Sequence, residues 1–185
     1  MEVKQAIISA LKILNRGDLA ESLKSNTPLD GEGKETVNVL IYCFNAVEDE
    51  LARKYFPLTA KEQLSSKDGK FYYTAFAHPP VKIKSIKAGD SEVKYQLEPL
   101  YAAVNEKIIT VEYEYAPSKK DIGDESELGE RVSENLVACG IAAEYSLING
   151  EIEQAELWEK KYRKLIDGAQ SALPKGGAIP PRRWV

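Results

Sequence analysis

Val37-Asn-Val-Leu-Ile-Tyr-Cys-Phe-Asn-Ala-Val-Glu-Asp-Glu-Leu-Ala-Arg-Lys-Tyr-Phe-Pro57 and Ile109-Thr-Val-Glu-Tyr-Glu-Tyr115 obey different periods. In the first, Val37, Leu40, Ile41, Phe44, Val47, Leu51 and Tyr55 recur every three or four residues, one apolar stripe over five turns of helix that Pro57 ends. Glu48, Asp49, Glu50, Arg53 and Lys54 fall on the other faces and read as solvated. In the second, apolar and polar residues alternate, as on a strand with one buried face. An apolar period of about 3.6 residues that gives way to 2 and then returns predicts an α+β chain with a sheet set inside a helical frame.

Upstream, Val3, Ala6, Ile7, Ala10, Leu11 and Leu14 form another helical stripe. Gly17 stops it, and Asp18 can cap a short further turn containing Leu19 and Leu23. A loop through Pro28, Gly31 and Gly33 leads to the helix quoted above. Beyond Pro57, Asp68-Gly69 carries a hairpin signal ahead of the aromatic strand Phe71–Phe76, and Pro79-Pro80 ends that strand. Ala88-Gly-Asp90 turns the next strand, and Val93, Tyr95 and Leu97 alternate with Lys94 and Gln96. Four or five short strands in succession predict an antiparallel meander.

Residues 118–125 read as a polar linker. A helix follows with Leu128, Val132, Leu136, Cys139, Ala142 and Ala143 on its apolar side, and Asn149-Gly150 ends it. Ile152, Ala155, Trp158, Tyr162, Leu165, Ile166 and Ala169 stripe a last helix, joined to its predecessor by so few residues that the two must form an antiparallel hairpin. Residues 173–185 hold three prolines in a Pro/Gly-rich run that cannot continue the helix and should be extended. The expectation is one domain over 1–185. Its frame is a bundle of about four helices (1–56 and 124–172), with a β-meander inserted at 57–117 and an extended C-terminal tail at 173–185.

Composition narrows the function. With 43% hydrophobic and 29% charged residues the chain has the balance of an ordinary globular protein. No apolar run approaches the roughly 20 residues that span a bilayer, and Met1-Glu-Val-Lys4 lacks the features of a signal peptide, so synthesis and folding in a cytoplasm are expected. The tail carries three basic residues and no acidic one, so of the net charge of −4 the first 172 residues hold about −7. That sign argues against general nucleic-acid binding. Cys43 and Cys139 have no CxxC or His neighbour, which predicts reduced core thiols and no metal.

Catalytic candidates are few. His78, the only histidine, precedes Pro79-Pro80 with no recognisable nucleophile or orienting carboxylate, and reads as a turn residue. There is no GxSxG, Walker loop, GxGxxG or His-x-x-x-His. Glu151, Glu153 and Glu156, like Glu48-Asp-Glu50, lie among Lys and Arg as on a solvated helix face. The expectation is therefore a protein that is not an enzyme, with no catalytic residue, metal or cofactor. Tyr72, Tyr73, Tyr95, Tyr101, Tyr113 and Tyr115 fall in the sheet region, where aromatics cover pleated surface well. They leave open a second reading, a monomeric cytoplasmic binding module using an aromatic sheet face. The tail is the feature folding explains least: Pro180, Pro181, Arg182, Arg183, Trp184 and Val185 combine interface-type residues with a low ordering cost, and are the candidate partner-binding set.

The helix and turn from Asn45 to Leu58 resemble those of the head–tail connector (adaptor) proteins of tailed bacteriophages. So do the strand closing in Tyr113-Glu-Tyr-Ala-Pro117 and the helix hairpin with Ala142-Ala-Glu-Tyr145, Asn149-Gly150, Trp158 and Tyr162. The likeness covers nearly the whole order of elements. The helix break at Asn15-Arg-Gly-Asp18 departs from the pattern. The resemblance implies a virion structural protein assembled in the host bacterial cytoplasm, a subunit of a dodecameric ring beneath the capsid portal. It also implies a tail docked on the portal through Pro180–Val185, other tail or connector subunits as neighbours, and DNA passing through without specific binding.

Overall fold

A computed structural model describes residues 1–66 and 68–172. Among the described residues, five α-helices and two antiparallel sheets make an α+β fold. The helices are α1 (Val3–Ile13), α2 (Gly17–Lys24), α3 (Gly31–Lys54), α4 (Glu134–Ile148) and α5 (Ile152–Ala172). The expected frame of about four helices becomes five because Asn15 takes a left-handed φ of 58° and splits α1 from α2. Asp30 starts α3, its carboxylate accepting from the Gly33 N–H at 2.6 Å.

Most of α4 has no solvent face. Residues 136–143 are buried without a break, so the helix is wrapped rather than striped. It packs against α1, α3 and α5. Gly140 makes this closeness physical: a Cβ there would meet the Tyr162 ring and a Val47 methyl, both at 2.9 Å. The expected apolar side misplaced the start of this helix. Leu128 and Val132 are buried but lie before it, and Ser133 caps it by accepting from the Leu136 N–H at 3.3 Å. In α5, Ala155, Tyr162 and Ile166 reach the core, Trp158 is only half-buried and Ile152 is exposed. The stripe read from the sequence is thus wider than the face that is covered.

Among the described residues seven strands follow α3: β1 (Leu58–Ser65), β2 (Lys70–Tyr72), β3 (Pro80–Ala88), β4 (Ser91–Glu92), β5 (Gln96–Leu97), β6 (Tyr101–Ala103) and β7 (Ile108–Tyr115). They do not form a meander. One sheet runs β1-β7-β3-β4 and the other β2-β6-β5, so the last strand lies between the first and third. Asp68 and Gly69 have the left-handed backbone of a hairpin turn (φ 57° and 74°), yet β1 and β2, on either side, belong to different sheets. Tyr73–Ala75 is a 3-10 turn where a continued strand was expected. The Gly89 turn is a hairpin as read, pairing Lys87 with Glu92.

β7 keeps its predicted alternation. Ile109, Val111 and Tyr113 point into a core shared by both sheets, with Phe71, Phe76, Ile86, Ala102 and Val104. A separate and larger core lies among the helices. Tyr115 packs against both. It also faces Leu58 across β1 and β7, so the chain enters and leaves the sheet region at neighbouring positions.

Candidate functional site

The segment read as a linker is instead a polar staple. From α3, Asn45 donates to the Lys120 carbonyl at 2.9 Å and accepts from its N–H at 2.7 Å. One turn on, the Glu48 carboxylate accepts from the Ser126 hydroxyl at 2.7 Å and from the Glu127 N–H at 2.8 Å. Glu127 in turn takes the Lys120 ammonium at 2.6 Å and the Ser118 hydroxyl at 2.7 Å. Val3 donates to the Asp124 carbonyl and Ser126 to that of Met1, so the start of the chain closes over the same segment.

Two carboxyls here titrate in opposite directions. Glu48 is 1% exposed, and burial raises it above the usual carboxylate range despite its two donors; its Oε2 has no partner among the described residues. Burial also pushes Glu127 upward, but donation from Lys120 and Ser118 outweighs it and holds the group at about 2. Glu48 therefore corrects the expectation of a solvated Glu48-Asp-Glu50 face. Glu50 departs from it as well, being held by Lys54 at 3.1 Å, by Arg163 at 3.3 Å and by the Tyr162 hydroxyl at 3.3 Å. Asp49 comes nearest to the expectation, half-buried and paired with Arg53 along the helix. Glu151, Glu153 and Glu156 are exposed as expected.

A cleft of about 490 Å³ opens where α3, α4 and α5 meet. Its apolar lining includes Ala46, Ala143, Leu147 and Ile152, the last two more than half exposed. Its charged lining is Glu50, Glu144, Glu156 and Glu159 against Lys54 and Arg163. Arg163 is shared between Glu50 and Glu159, at 2.6 Å from the latter. Glu144 makes no ion pair among the described residues; burial, then the charges of Glu50 and Glu159, raise its carboxyl. Ile148 and Leu157 extend the apolar exposure around the α4–α5 turn.

The sheet region has exposed apolar groups of its own, notably Leu97 and Leu100. Beside them Tyr95 and Tyr101 line a hollow with Lys70 and Lys94. Tyr72 packs on Tyr101 with ring centres 5.7 Å apart, and the Lys70 ammonium lies 4.9 Å from the Tyr101 ring centre. His78 is half-buried and stacks on Tyr115 at 4.2 Å. Tyr113 donates to Glu62, and burial followed by that contact pushes its hydroxyl up to about 12. Cys43 and Cys139 are buried free thiols, Cys43 pushed up to about 12 chiefly by burial. Among the described residues no group of three or more His, Cys, Asp or Glu is arranged to hold a metal ion. No described helix is long and apolar enough to cross a membrane.

The candidate partner-binding set, Pro180, Pro181, Arg182, Arg183, Trp184 and Val185, lies outside the described residues. The staple and the cleft were missed from sequence. Asn45 and Glu48 sit one residue outside an apolar stripe, and only tertiary packing tells such a position from a solvated one. A signal for the cleft existed in Leu147 and Ile152, apolar residues on either side of a helix turn. No protein-family model matches the chain, and no curated protein matches it.

Proposed function

We propose that the chain is a structural subunit, not a catalyst, of a ring that joins the head of a tailed phage to its tail. On this reading the subunit belongs to the virion, and its helices build a ring, twelve-fold by resemblance, under the portal. The observation that carries the reading is the presence of two unlike apolar surfaces on one small protein. One is the α4–α5 turn with Leu147, Ile148, Ile152 and Leu157; the other is the sheet region with Leu97 and Leu100. A head-to-tail ring contact joins two different patches, whereas a two-fold dimer needs only one self-complementary patch. Apolar residues gathered on a surface are what subunit contacts cover. A body charge of about −7 also suits a channel through which DNA must slide without sticking.

The test is sedimentation of the intact chain alone and with portal rings of the same virus. Co-sedimentation at ring stoichiometry is expected, and deletion of residues 174–185 should abolish it while the helical content of the subunit persists. An intact chain that never joins the portal overturns the reading. A second reading is favoured by one observation, the grouping of Tyr72, Tyr95 and Tyr101 with Lys70 and Lys94: a binding module whose sheet face stacks on a single strand. Salt-sensitive binding of a single-stranded oligonucleotide, lost in Tyr101→Ala, would favour it over the ring.

A further inference from the structure

The cleft between α3, α4 and α5 asks for an occupant that is apolar and cationic together. Four carboxylates line it against two cations, and those two cations are already engaged by Glu50 and Glu159. Among the described residues Glu156 pairs only with Lys160, at 3.9 Å and on an exposed edge. Glu144 is half-buried with no ion pair among the described residues. Next to these carboxylates Leu147 and Ile152 lie open.

One segment of this chain has the complementary character. Residues 173–185 contain Ile179, Trp184, Lys175, Arg182 and Arg183, and no acidic residue. They leave from the end of α5, the helix that supplies one wall of the cleft. From Ala172 back to Glu156 is about 24 Å along that helix. Ten extended residues, as far as Arg182, reach about 33 Å, so the segment can turn back and arrive with length to spare.

We propose that this cleft is the docking site of the chain's own residues 173–185, which fold back along α5 and set Arg182, Arg183 and Trp184 against Glu144, Glu156 and Leu147. Paired this way, Glu144 gains a cation and Leu147 loses its contact with water. Arg suits the place because its planar fork meets carboxylates in two-point contacts. The proposal does not rest on the ring reading. If that reading holds, a portal must draw the segment out, so cleft and portal compete for the same residues and the withdrawal uncovers Leu147 for the neighbouring subunit.

Fluorine NMR of the intact chain, with fluorotryptophan at both tryptophans, tests this. Trp184→Phe assigns the Trp184 resonance and leaves that of Trp158 in place. Trp184 is expected to be displaced from the position of a free tryptophan amide, and to stay displaced on hundredfold dilution. Glu144→Gln with Glu156→Gln should weaken docking roughly tenfold through the loss of charge-assisted contacts. Raising salt on the unsubstituted chain should do the same in part, a check that does not depend on how the variants fold. A Trp184 resonance at the free position overturns the proposal. So does displacement that dilution removes, which would make a second copy the occupant, or displacement indifferent to both salt and the two substitutions. Whether the chain binds a portal alters none of these outcomes.

Discussion

Phe44 is fully buried in the helical core, a cluster that also holds Leu40, Val47 and Leu51 of the same helix and Leu136, Ile141 and Tyr162 of others. Phe71 lies in the smaller core of the sheet region, with Ala102, Val104 and Ile109 among its members, and the sheets end at the two-residue strands β4 and β5. The helices are mutually buried through a central member that has almost no face of its own. The sheets cover each other once, and their outer faces carry Tyr72, Tyr95, Leu97 and Ile108 to solvent. Stability should follow this difference, since burial is the dominant favourable contribution and the smaller core supplies less of it. The helical region is expected to set the global unfolding free energy, and the sheet region to open at lower cost.

The largest expected effect probes that contrast directly. Phe44→Ala should cost about 3–5 kcal/mol, read as a shift in urea midpoint at constant slope. Phe71→Ala should instead appear first as faster amide exchange in β2, β6 and β7, with α3 and α4 still protected. If Phe71→Ala strips both regions together, they act as one cooperative unit and the contrast fails.

Next is the staple between the regions. Glu48→Ala leaves the Ser126 hydroxyl and the Glu127 N–H without their acceptor, at roughly 1–3 kcal/mol. Glu48→Gln keeps an acceptor and removes a buried charge, so its cost in chemical denaturation should be close to zero. Equal losses in the two variants would mean that the charge itself matters. Gly140→Ala comes third. A better helix former gains about 1 kcal/mol, but a methyl forced against Tyr162 and Val47 costs about 1–3 kcal/mol, so a net loss of about 1 kcal/mol is expected by thermal unfolding. A stabilised variant would show that α4 can shift away from α5.

The last effect shows only on acidification. Glu127 titrates at about 2 in the folded protein against an ordinary 4.5. Its contribution is complete above 4.5 and drains away as the pH falls toward 2. Glu127→Gln should flatten that limb of the stability–pH curve. A limb left unchanged would assign the acid sensitivity to other carboxylates. Glu48 works in the opposite sense: its raised carboxyl is penalised when ionised, so its share improves on acidification.

Local rules made the helices and β7 legible. Pro57 ends one helix, Asn15 to Gly17 breaks another, and Ile109, Val111 and Tyr113 alternate into the core as their spacing requires. What stayed hidden was every non-local choice. Asp68-Gly69 has the right turn backbone, but nothing within it says which strands will pair. Apolar periodicity identified α4 as a helix without revealing that it would be surrounded, because small residues such as Ala138 and Gly140 add little to a stripe. Glu48 looked like its neighbour Asp49, and Ser126 and Glu127, far along the chain, make it different. The cleft is equally non-local, assembled from side chains on three helices.

Leu58 and Tyr115 sit side by side on β1 and β7. Everything between them departs from the helical body and returns to it through a doorway two strands wide. A tight connection between those two positions would, on geometry, leave the helices in the same order and the same contacts. The sheet region is therefore a cassette. On this geometry it can be lengthened or shortened while the frame stays constant, provided its first and last strands still meet at the door. The outer faces of the sheets, where Tyr72, Leu97 and Ile108 lie open, can then be altered where the helices are least disturbed.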